Sequence, residues 1–328
     1  MALRSDRKIK IWAVSDGRAG IANQVLGLAE AVAALRPATI TTRRVAYRSP
    51  VGRLPQALNL APLTLLAEDA DRFEPPWPDL WIAAGRATLP LSARVRRWSK
   101  GSTFTVQLQN PRWPAHLFDL VIPPEHDRLE GTNVWPILGS PHRVTPERLA
   151  EAAAEFRDRI APLPFPRVAV LVGGKSTSHD LPPERARSLA SEIATAVEGA
   201  HGSVLVSFSR RTPEDARRFM TGRLKRLPGW VWDGEGPNPY FAFLAAADVV
   251  LVTEDSTNMA VEAAAAGKPV LVMHLEGDSP KHRRLHDSLR AAHAARPFRG
   301  ALERWTAPPL RETERAAAEV IRRMGPGR

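Results

Sequence analysis

Short apolar runs alternate with longer amphipathic segments along most of the chain. The runs are rich in β-branched residues and too short for helices, so they predict buried strands. In the first half the predicted strands are 10–16, 40–47, 79–85, 103–110 and 117–124, with 133–139 close behind. Helices are predicted between them at 17–35 and 86–100. Such alternation is typical of a mainly parallel sheet with helices on both faces.

The second half repeats the pattern after a helix at 145–160 and a proline-rich hinge at 161–166. Its predicted strands are 167–174, 203–209, 229–234, 249–252 and 269–273, separated by helices at 182–200, 212–224 and 239–247. We therefore predict two doubly wound α/β domains, 1–160 and 161–328. Binding loops follow the carboxyl ends of the strands in such domains, so two facing domains would present their loops to a central cleft.

The composition excludes some kinds of site and favours one kind of partner. The chain has 328 residues, of which 44% are hydrophobic, enough for two cores. It contains no cysteine, which excludes disulfides, thiolate zinc sites and cysteine nucleophiles. Its 46 basic and 35 acidic residues give a net charge of +11. That balance favours an anionic partner: a nucleotide, a phospholipid surface or nucleic acid.

Basic side chains cluster at two places. One cluster is Arg94, Arg96, Arg97 and Lys100, and the other spans 281–284. Neither resembles a nucleic-acid-binding module, so we predict no nucleic acid partner. Two interpretations remain, a solvated basic face and a surface that contacts an anionic membrane. No apolar run reaches the roughly 18–20 residues needed to span a bilayer, so we predict a cytoplasmic protein, with peripheral association at the inner face of the membrane as an open alternative.

A glycine-containing loop follows the first predicted strand, within the sequence SDGRAGIANQ (15–24). Gly17 and Gly20 allow the backbone to approach a ligand closely, and the start of the next helix offers free N–H groups to an anion. The spacing is not G-x-G-x-x-G, so a dinucleotide site is disfavoured. An ordinary tight turn is the alternative.

Two polar loops follow strands of the second half. The residues after the first of these strands are Gly173, Gly174, Lys175 and Ser176, and those after the next are Ser209, Arg210 and Arg211. The glycine loop lacks the spacing of a nucleoside-triphosphate loop, so ATP hydrolysis is disfavoured. Guanidinium groups bind phosphate oxygens through paired N–H groups, so the arginine loop suits a diphosphate. The alternative is that both arginines are ordinary surface charges.

The stretch VVLVTEDSTNMAVEAAAAGKPVLVM (249–273) places an alanine-rich helix between two apolar strands. The polar residues that lead into the helix are Glu254, Asp255, Ser256, Thr257 and Asn258. Ser256 is predicted to cap the helix, and Asp255 to lie favourably near its positive end. Glu262 is one turn beyond Asn258 on the same face, where its carboxylate can accept both hydroxyls of a ribose. The alternative is an ion pair between Glu262 and a neighbouring Arg or Lys.

This segment resembles the nucleotide-sugar-binding segment of GT-B glycosyltransferases, in which a polar loop precedes a helix of the form E-A-x-A-x-G-x-P-V, matched here by 262–270. The loop SFSRRTPE is similar to a phosphate loop of the same fold. More closely, the chain is similar to the family of the plant elongated-mitochondria fission protein and its bacterial relatives. That resemblance covers roughly 10–300 and depends on the stretches SDGRAGIANQVLGLAEA, DLWIAAGRATLP, VQLQNPR, DLVIPPEHD, VLVGGKS, SFSRRTPE and TEDSTNMAVEAAAAGKPV.

The resemblance implies a GT-B-like fold, with two Rossmann-like domains facing a central cleft. It implies a metal-independent glycosyltransferase that uses a nucleotide-diphosphate sugar as co-substrate and no other cofactor, with an envelope or lipid-linked acceptor. The N-terminal domain would take the acceptor and the C-terminal domain the donor, with Glu262 on the ribose. The predicted donor and phosphate-binding residues are Gly17, Gly20, Gly173, Gly174, Lys175, Ser176, Ser209, Arg210, Asp255, Ser256, Thr257, Asn258 and Glu262.

The same resemblance suggests residues for the chemistry. Asp16, the titratable group in the first loop, is predicted as the general base that deprotonates the acceptor. The predicted acceptor contacts are Arg86, Gln109 and Asn110. Weaker candidates for the base are His179, Asp180 and Glu254. His282 and His286 are predicted to be surface residues of a basic helix, and no metal site is predicted because the spacings of the His and acidic residues are not those of a metal site.

Two other functions stay open. A non-catalytic, membrane-associated adaptor of the same family would depend on Arg94, Arg96 and Arg97 and give no role to Asp16 or Glu262. A nucleotide-dependent epimerase is disfavoured, since the chain has neither an opening G-x-x-G-x-x-G nor a Y-x-x-x-K. The sequence leaves the sugar, the base, the acceptor and the oligomeric state undetermined.

Overall fold

The computed structural model describes residues 7–51, 55 and 59–325, which form two compact α/β units. The first unit takes in the chain up to Arg143 and again from Arg311, and the second unit is Val144–Leu310. These bounds differ from the expected domains 1–160 and 161–328. The helix expected at 145–160 packs within the second unit, where Phe156 contacts Trp230 and Ile160 is buried, and the last helix of the chain returns to the first unit, where its apolar residues are buried.

Five parallel strands form the sheet of the first unit, in the order β2-β1-β3-β4-β5. They are β1 Ile9–Ser15, β2 Ala38–Arg44, β3 Leu80–Ala83, β4 Phe104–Leu108 and β5 Leu120–Ile122. The helices of this unit are α1 Ala19–Leu35, α2 Leu89–Trp98 and, from the C-terminal segment, α10 Glu312–Met324. The predicted alternation of strands and helices in this half is confirmed.

Strand β1 shows why the strands are continuous apolar runs. Side chains alternate between the two faces of a sheet. Ile9, Ile11 and Ala13 pack with α1 and α10 on one face, whereas Trp12 and Val14 pack with α2 on the other. Because helices cover both faces, every position from Ile11 to Val14 is apolar and buried.

The segment 133–139 does not form the strand expected from its apolar residues. Val134 and Ile137 make isolated parallel bridges alongside β5. The N–H groups of Trp135 and Ile137 still donate to the carbonyl oxygens of Val121 and Pro123, but Pro123 has no N–H to donate in return, which interrupts the ladder. The segment therefore lines the edge of the sheet without extending it.

Six parallel strands form the main sheet of the second unit, in the order β13-β11-β10-β6-β8-β9. They are β6 Arg167–Val172, β8 Ser203–Phe208, β9 Gly229–Val231, β10 Val249–Thr253, β11 Val270–Met273 and β13 Ala295–Pro297. Two further short strands, β7 His179–Asp180 and β12 Glu276–Gly277, pair antiparallel outside this sheet. The helices are α3 Pro146–Glu155, α4 Arg157–Ile160, α5 Pro183–Gly199, α6 Glu214–Leu224, α7 Tyr240–Ala246, α8 Thr257–Ala265 and α9 Pro280–Ala291.

All five residues of β10 are buried, because the strand lies between β11 and β6 with helices on both faces. At its carboxyl end the chain turns directly into α8. The carboxyl ends of β6 and β8 lie at the same edge of the sheet. In doubly wound sheets this edge carries the ligand-binding loops.

Candidate functional site

At the carboxyl edge of the second sheet, the loop after β6 is hydrogen-bonded to side chains at the end of β10 and in the turn that follows it. The N–H of Gly173, after β6, donates to Oγ1 of Thr253 at 2.7 Å. The N–H of Gly174 donates to Oδ2 of Asp255 at 3.1 Å. The loop after β6 is therefore held in place by the loop that opens α8.

Asp255 lies behind this loop. Its side chain is 0% exposed, and Oδ2 forms an ion pair of 2.7 Å with the partly exposed guanidinium of Arg211. Oδ1 makes no hydrogen bond to any described residue. We expected Asp255 to contact the donor directly, but its burial makes it a support for Gly174 and Arg211 instead.

The loop after β8 is also fixed to Gly173. The hydroxyl of Ser209 donates to the carbonyl oxygen of Gly173 at 3.1 Å and accepts the N–H of Arg211 at 3.1 Å. Arg210 is exposed and forms no ion pair within the described part of the chain. Of the two arginines, Arg210 is therefore the one whose guanidinium is available to a ligand.

Lys175 and Ser176 continue the glycine loop in different ways. Oγ of Ser176 accepts the N–H groups of Ser178 and His179, which closes a tight turn. Nζ of Lys175 lies 3.9 Å from Oδ2 of Asp180, and both side chains are well exposed. An exposed pair of this kind contributes little to stability, so Lys175 is free to reorient toward an anion.

Helix α8 begins beside these loops. Ser256 is its N-cap residue, as predicted, but the hydroxyl makes no capping hydrogen bond. The expected side-chain cap is therefore wrong, and the first N–H groups of α8 are not occupied by Ser256. Thr257 and Asn258 are half-buried in the first turn. Uncapped N–H groups at the start of a helix favour an anion.

Glu262 is half-buried on α8, and its Oε2 accepts a hydrogen bond of 2.5 Å from the hydroxyl of Tyr240. Burial raises the pKa of Glu262 to about 7, although the Tyr240 hydrogen bond opposes the shift. Burial, together with the charge of Glu262, also raises the pKa of Tyr240 well above its ordinary value. Glu262 forms no ion pair with an Arg or Lys of the described chain, so the alternative of a cationic partner is wrong.

A second polar cluster surrounds Glu254. Its Oε1 accepts the N–H of Leu275 at 2.6 Å and lies 2.8 Å from Nδ1 of His274 and 3.9 Å from Nε2 of His179. The carbonyl oxygen of Glu254 is 2.9 Å from Nε2 of His286. Glu254 and His179, both weaker candidates for a base, therefore belong to one network.

The two histidines of α9 are less exposed than expected. His286 is buried, and this desolvation lowers its pKa despite the nearby carbonyl and carboxylate of Glu254. His282 is half-buried and stacks on His179 with ring centroids 4.9 Å apart. The prediction that His286 is a surface residue is wrong, because α9 buries this side against Glu254. In the described part of the chain no three His, Asp or Glu side chains are grouped to hold a metal ion.

In the first unit, the loop after β1 places Asp16 against Arg18. Oδ2 of Asp16 accepts Nε and NH2 of Arg18 at 3.0 and 2.7 Å, and the carboxylate is 14% exposed. Gly17 has a left-handed φ of 80°, and Gly20 lies in the first turn of α1. Asp16 is thus engaged by a cation, so proton transfer by this carboxylate would require the ion pair with Arg18 to open.

The predicted acceptor residues come together in the first unit. Arg86, Gln109 and Asn110 line one cavity of about 450 Å³ at the carboxyl ends of β3 and β4. Nε2 of Gln109 donates to Oε1 of the buried Gln24 at 2.9 Å, and Oδ1 of Asn110 accepts the N–H of Arg112 at 2.9 Å. These bonds hold the loop after β4 in one shape.

Three members of the basic cluster, Arg96, Arg97 and Lys100, line one surface cavity, whereas Arg94 does not. Arg94 donates to the carbonyl oxygen of Pro90, and Arg96 lies 3.4 Å from a carboxylate oxygen of Asp119. This cavity is shallow and is also lined by His116. None of the helices described by the structure has both the length and the apolar character needed to cross a bilayer.

Comparison with known proteins decides the family. Residues 19–324 match the family described as mitochondrial fission ELM1. The chain belongs to this family. A member from Arabidopsis thaliana, named mitochondrial fission protein ELM1, is 31% identical over 283 residues, which cover 77% of this chain and 65% of the relative. This ELM1-family chain therefore spans 65% of the plant protein's length.

Bacterial relatives and solved structures extend the comparison. An uncharacterized protein of Rickettsia prowazekii is 25% identical to this ELM1-family chain, with 96% of this chain and 98% of the relative covered. Among solved structures, Os79 from O. sativa in complex with UDP is 13% identical and has a TM-score of 0.53, with 95% of this chain and 90% of Os79 covered. At that identity the similarity establishes the fold, which is the GT-B fold.

Some site residues were absent from the sequence prediction. Tyr240 and Arg112 belong to the two sites but are not among the residues predicted from the sequence. Tyr240 is one of only two tyrosines in the chain and opens the helix before β10, which is a weak signal for a polar role. Arg112 is the last residue of the stretch VQLQNPR, but its place in the cavity depends on the conformation of the loop after β4, which the local sequence does not show.

Proposed function

We propose that the second unit binds a nucleotide-diphosphate sugar at the carboxyl edge of its sheet, as part of a metal-independent glycosyl transfer. The observation that carries the proposal is the Glu262–Tyr240 pair. A half-buried carboxylate with no cationic partner among the described residues is suited to accept the two hydroxyls of a ribose. The ribose would replace or share the hydrogen bond from Tyr240. Os79, which has the same fold, was solved in complex with UDP, and this supports a nucleotide ligand.

The diphosphate has a suitable environment nearby on the same helix. Glu262 is five positions after Thr257, so its backbone lies about 7.5 Å along the axis from the start of α8. At that end lie the uncapped N–H groups of α8 and the glycine loop at Gly173. Arg210 adds a guanidinium with no ion pair in the described chain. These groups would neutralise the charge that develops on the leaving diphosphate.

The first unit would bind the acceptor in the cavity lined by Arg86, Gln109 and Asn110. Asp16 is the proposed base, and it would have to leave Arg18 to accept a proton from the acceptor hydroxyl. An Asp16→Asn variant tests this step, since it should abolish transfer while leaving nucleotide affinity unchanged. A variant that transfers normally would assign Asp16 to the positioning of Arg18.

The decisive experiment is a calorimetric titration of the full chain with UDP-, GDP- and CMP-sugars. We expect one of them to bind, and Glu262→Ala to weaken it by at least tenfold. No binding at millimolar concentration, with Glu262→Ala identical to the wild type, would remove the proposal. That result would favour the adaptor alternative, for which pelleting with phosphatidylglycerol vesicles and the Arg97→Ala variant is the matching test.

Arg210→Ala should lower the affinity for UDP by about tenfold and leave the affinity for uridine unchanged, because a hydrogen bond to a charged phosphate contributes about 1.5–3 kcal/mol. Arg226→Ala is the matched control, since Arg226 is also exposed in the second unit. Both ligands can be titrated against the three proteins by calorimetry. Equal losses in the two variants would mean that Arg210 acts only through net charge.

A further inference from the structure

The cavity of the first unit is strongly basic. Three arginines line it, Arg18, Arg86 and Arg112, and no acidic side chain is among the described residues that do so. Arg18 is engaged by Asp16. Arg86 and Arg112 are exposed and form no ion pair within the described part of the chain. Two guanidinium groups without carboxylate partners facing one concave space favour an anion.

Gln107 also lines this cavity and supplies it with a hydrogen-bond acceptor. This residue of β4 is 1% exposed. Its Nε2 donates to the carbonyl oxygen of Leu108 at 3.3 Å, but Oε1 has no hydrogen-bond partner among the described residues. A buried acceptor left without a donor costs about 1–3 kcal/mol. A hydroxyl or amine of a bound molecule would satisfy it.

The loop that carries these groups is held in one conformation. Gln109 and Arg112 both have left-handed φ angles, 65° and 53°, which non-glycine residues rarely adopt. The hydrogen bonds of Gln109 to Gln24 and of Asn110 to Arg112 hold this shape. Binding would therefore cost little additional ordering of the loop.

The remaining wall is apolar. Leu89 is buried, and the half-buried indole of Trp113 lines the cavity beside the arginine loop. A volume of about 450 Å³ is within the range of small-molecule sites and exceeds what an inorganic ion requires. The bound molecule should therefore have an organic body as well as a charge.

We propose that this cavity binds a hydroxylated organic anion, a sugar acid or sugar phosphate, with Arg86 and Arg112 on the anionic group and Oε1 of Gln107 accepting a hydroxyl. This inference names the chemical class of the acceptor and rests on the proposed function in that one respect, that the bound anion is the acceptor of the transfer. The anion site itself depends on the first unit alone.

The test is a calorimetric titration with glucuronate, glucose 6-phosphate, glucose and inorganic phosphate. We expect the two organic anions to bind at least tenfold more tightly than neutral glucose. Arg86→Ala and Arg112→Ala should each weaken them by about tenfold. Arg97→Ala, which removes an exposed charge of the same unit outside this cavity, is the matched control. Glucose binding as tightly as glucuronate, or equal losses in all three arginine variants, would overturn the proposal.

Gln107→Leu tests the orientation of the ligand. It should weaken the binding of the organic anions, leave that of inorganic phosphate unchanged, and change the Tm little, because it removes an acceptor that has no partner together with one long hydrogen bond, of 3.3 Å, to the carbonyl oxygen of Leu108. An unchanged affinity for glucuronate would contradict the role of Gln107. Pelleting with phosphatidylglycerol vesicles, if abolished by Arg112→Ala, would identify the anion as a lipid headgroup and support the same site.

Uridine affinity keeps this inference separate from the proposed function. It should be the same in the wild type, Arg86→Ala and Arg112→Ala, because those residues belong to the first unit. If uridine and UDP fail to bind while the organic anions follow the expected pattern, the proposed function falls and the anion site stands. If nucleotides bind and the organic anions do not, the anion site falls and the proposed nucleotide-binding function stands.

Discussion

Replacing Glu262 by Gln should weaken uridine binding by roughly 10- to 100-fold at pH 8, because a hydrogen bond to a charged acceptor contributes about 1.5–3 kcal/mol. Gln keeps the shape of the side chain and an oxygen for Tyr240, so the loss reports the charge of the carboxylate. Uridine is the appropriate probe since it has no phosphate to titrate. Calorimetry at pH 8 measures the difference.

The same loss should shrink at lower pH. The pKa of Glu262 is about 7, so the carboxyl group is mostly protonated at pH 6 and the wild type then resembles the Gln variant. Uridine affinity of the wild type should fall as the pH decreases from 8 to 6, while that of Glu262→Gln stays flat. Glu151→Gln, which changes an exposed carboxylate of α3, should follow the wild type. A parallel pH dependence in the wild type and Glu262→Gln would contradict the assignment.

The stability of the fold should depend on pH in the opposite direction to uridine affinity. The pKa of Glu262 is raised from 4.5 to about 7 on folding, so the folded chain keeps a proton that the unfolded chain releases between these values. The free energy of unfolding therefore falls as the pH rises through this window, by at most about 3 kcal/mol. Glu262→Gln lacks this cost and should have a higher Tm than the wild type at pH 8, but the same Tm at pH 5. A lower Tm at pH 8 would mean that the carboxylate stabilises the fold.

Gly173→Ala should have the second large effect. A Cβ at this position would lie 2.3 and 2.4 Å from the two carboxylate oxygens of Asp255, whose side chain is completely buried. The clash should lower the free energy of unfolding by about 1–3 kcal/mol and displace the glycine loop, so UDP affinity should fall by more than tenfold. Thermal unfolding and calorimetry measure the two effects.

The matched control is Gly222→Ala in α6, where an added Cβ meets no atom within 4 Å. Alanine should be neutral there or stabilise the helix by up to about 1 kcal/mol. Combining Gly173→Ala with Asp255→Ala removes the clash, so the double variant should be less destabilised than the sum of the single variants. Strict additivity, or a Gly173→Ala protein that binds UDP normally, would show that the loop adjusts freely.

Much of the fold follows from local pattern. The apolar runs of β1 and β10 and the helices after them were predicted because periodicity depends on near neighbours and on which faces are covered. The segment from β10 to α8 also indicated the position of Glu262 relative to the start of its helix, since the helical rise is constant. Ser256 is predicted as the N-cap because serine is common at that position, although its hydroxyl does not make the capping hydrogen bond.

Long-range contacts had no such local signal. The partner of Glu262 is Tyr240, 22 positions away, and the choice of a phenol instead of a cation follows from where α7 begins relative to α8. Asp255 and His286 are polar residues of polar segments, and only the packing of the loops and of α9 buries them. The cavity at Gln107 and Arg112 likewise depends on a loop conformation with two left-handed residues.

The sequence alone therefore specified two parallel α/β units and the loops that carry polar residues, because those features depend on interactions within a few residues. The tertiary structure decided the bounds of the units, since α10 returns to α1 and the N–H of Leu138 reaches Oε2 of Glu312, 174 positions away, at 2.8 Å. It also decided which polar side chains are supports and which are free for a ligand. Burial and pairing depend on what the rest of the chain places opposite each group, and periodicity carries no information about that.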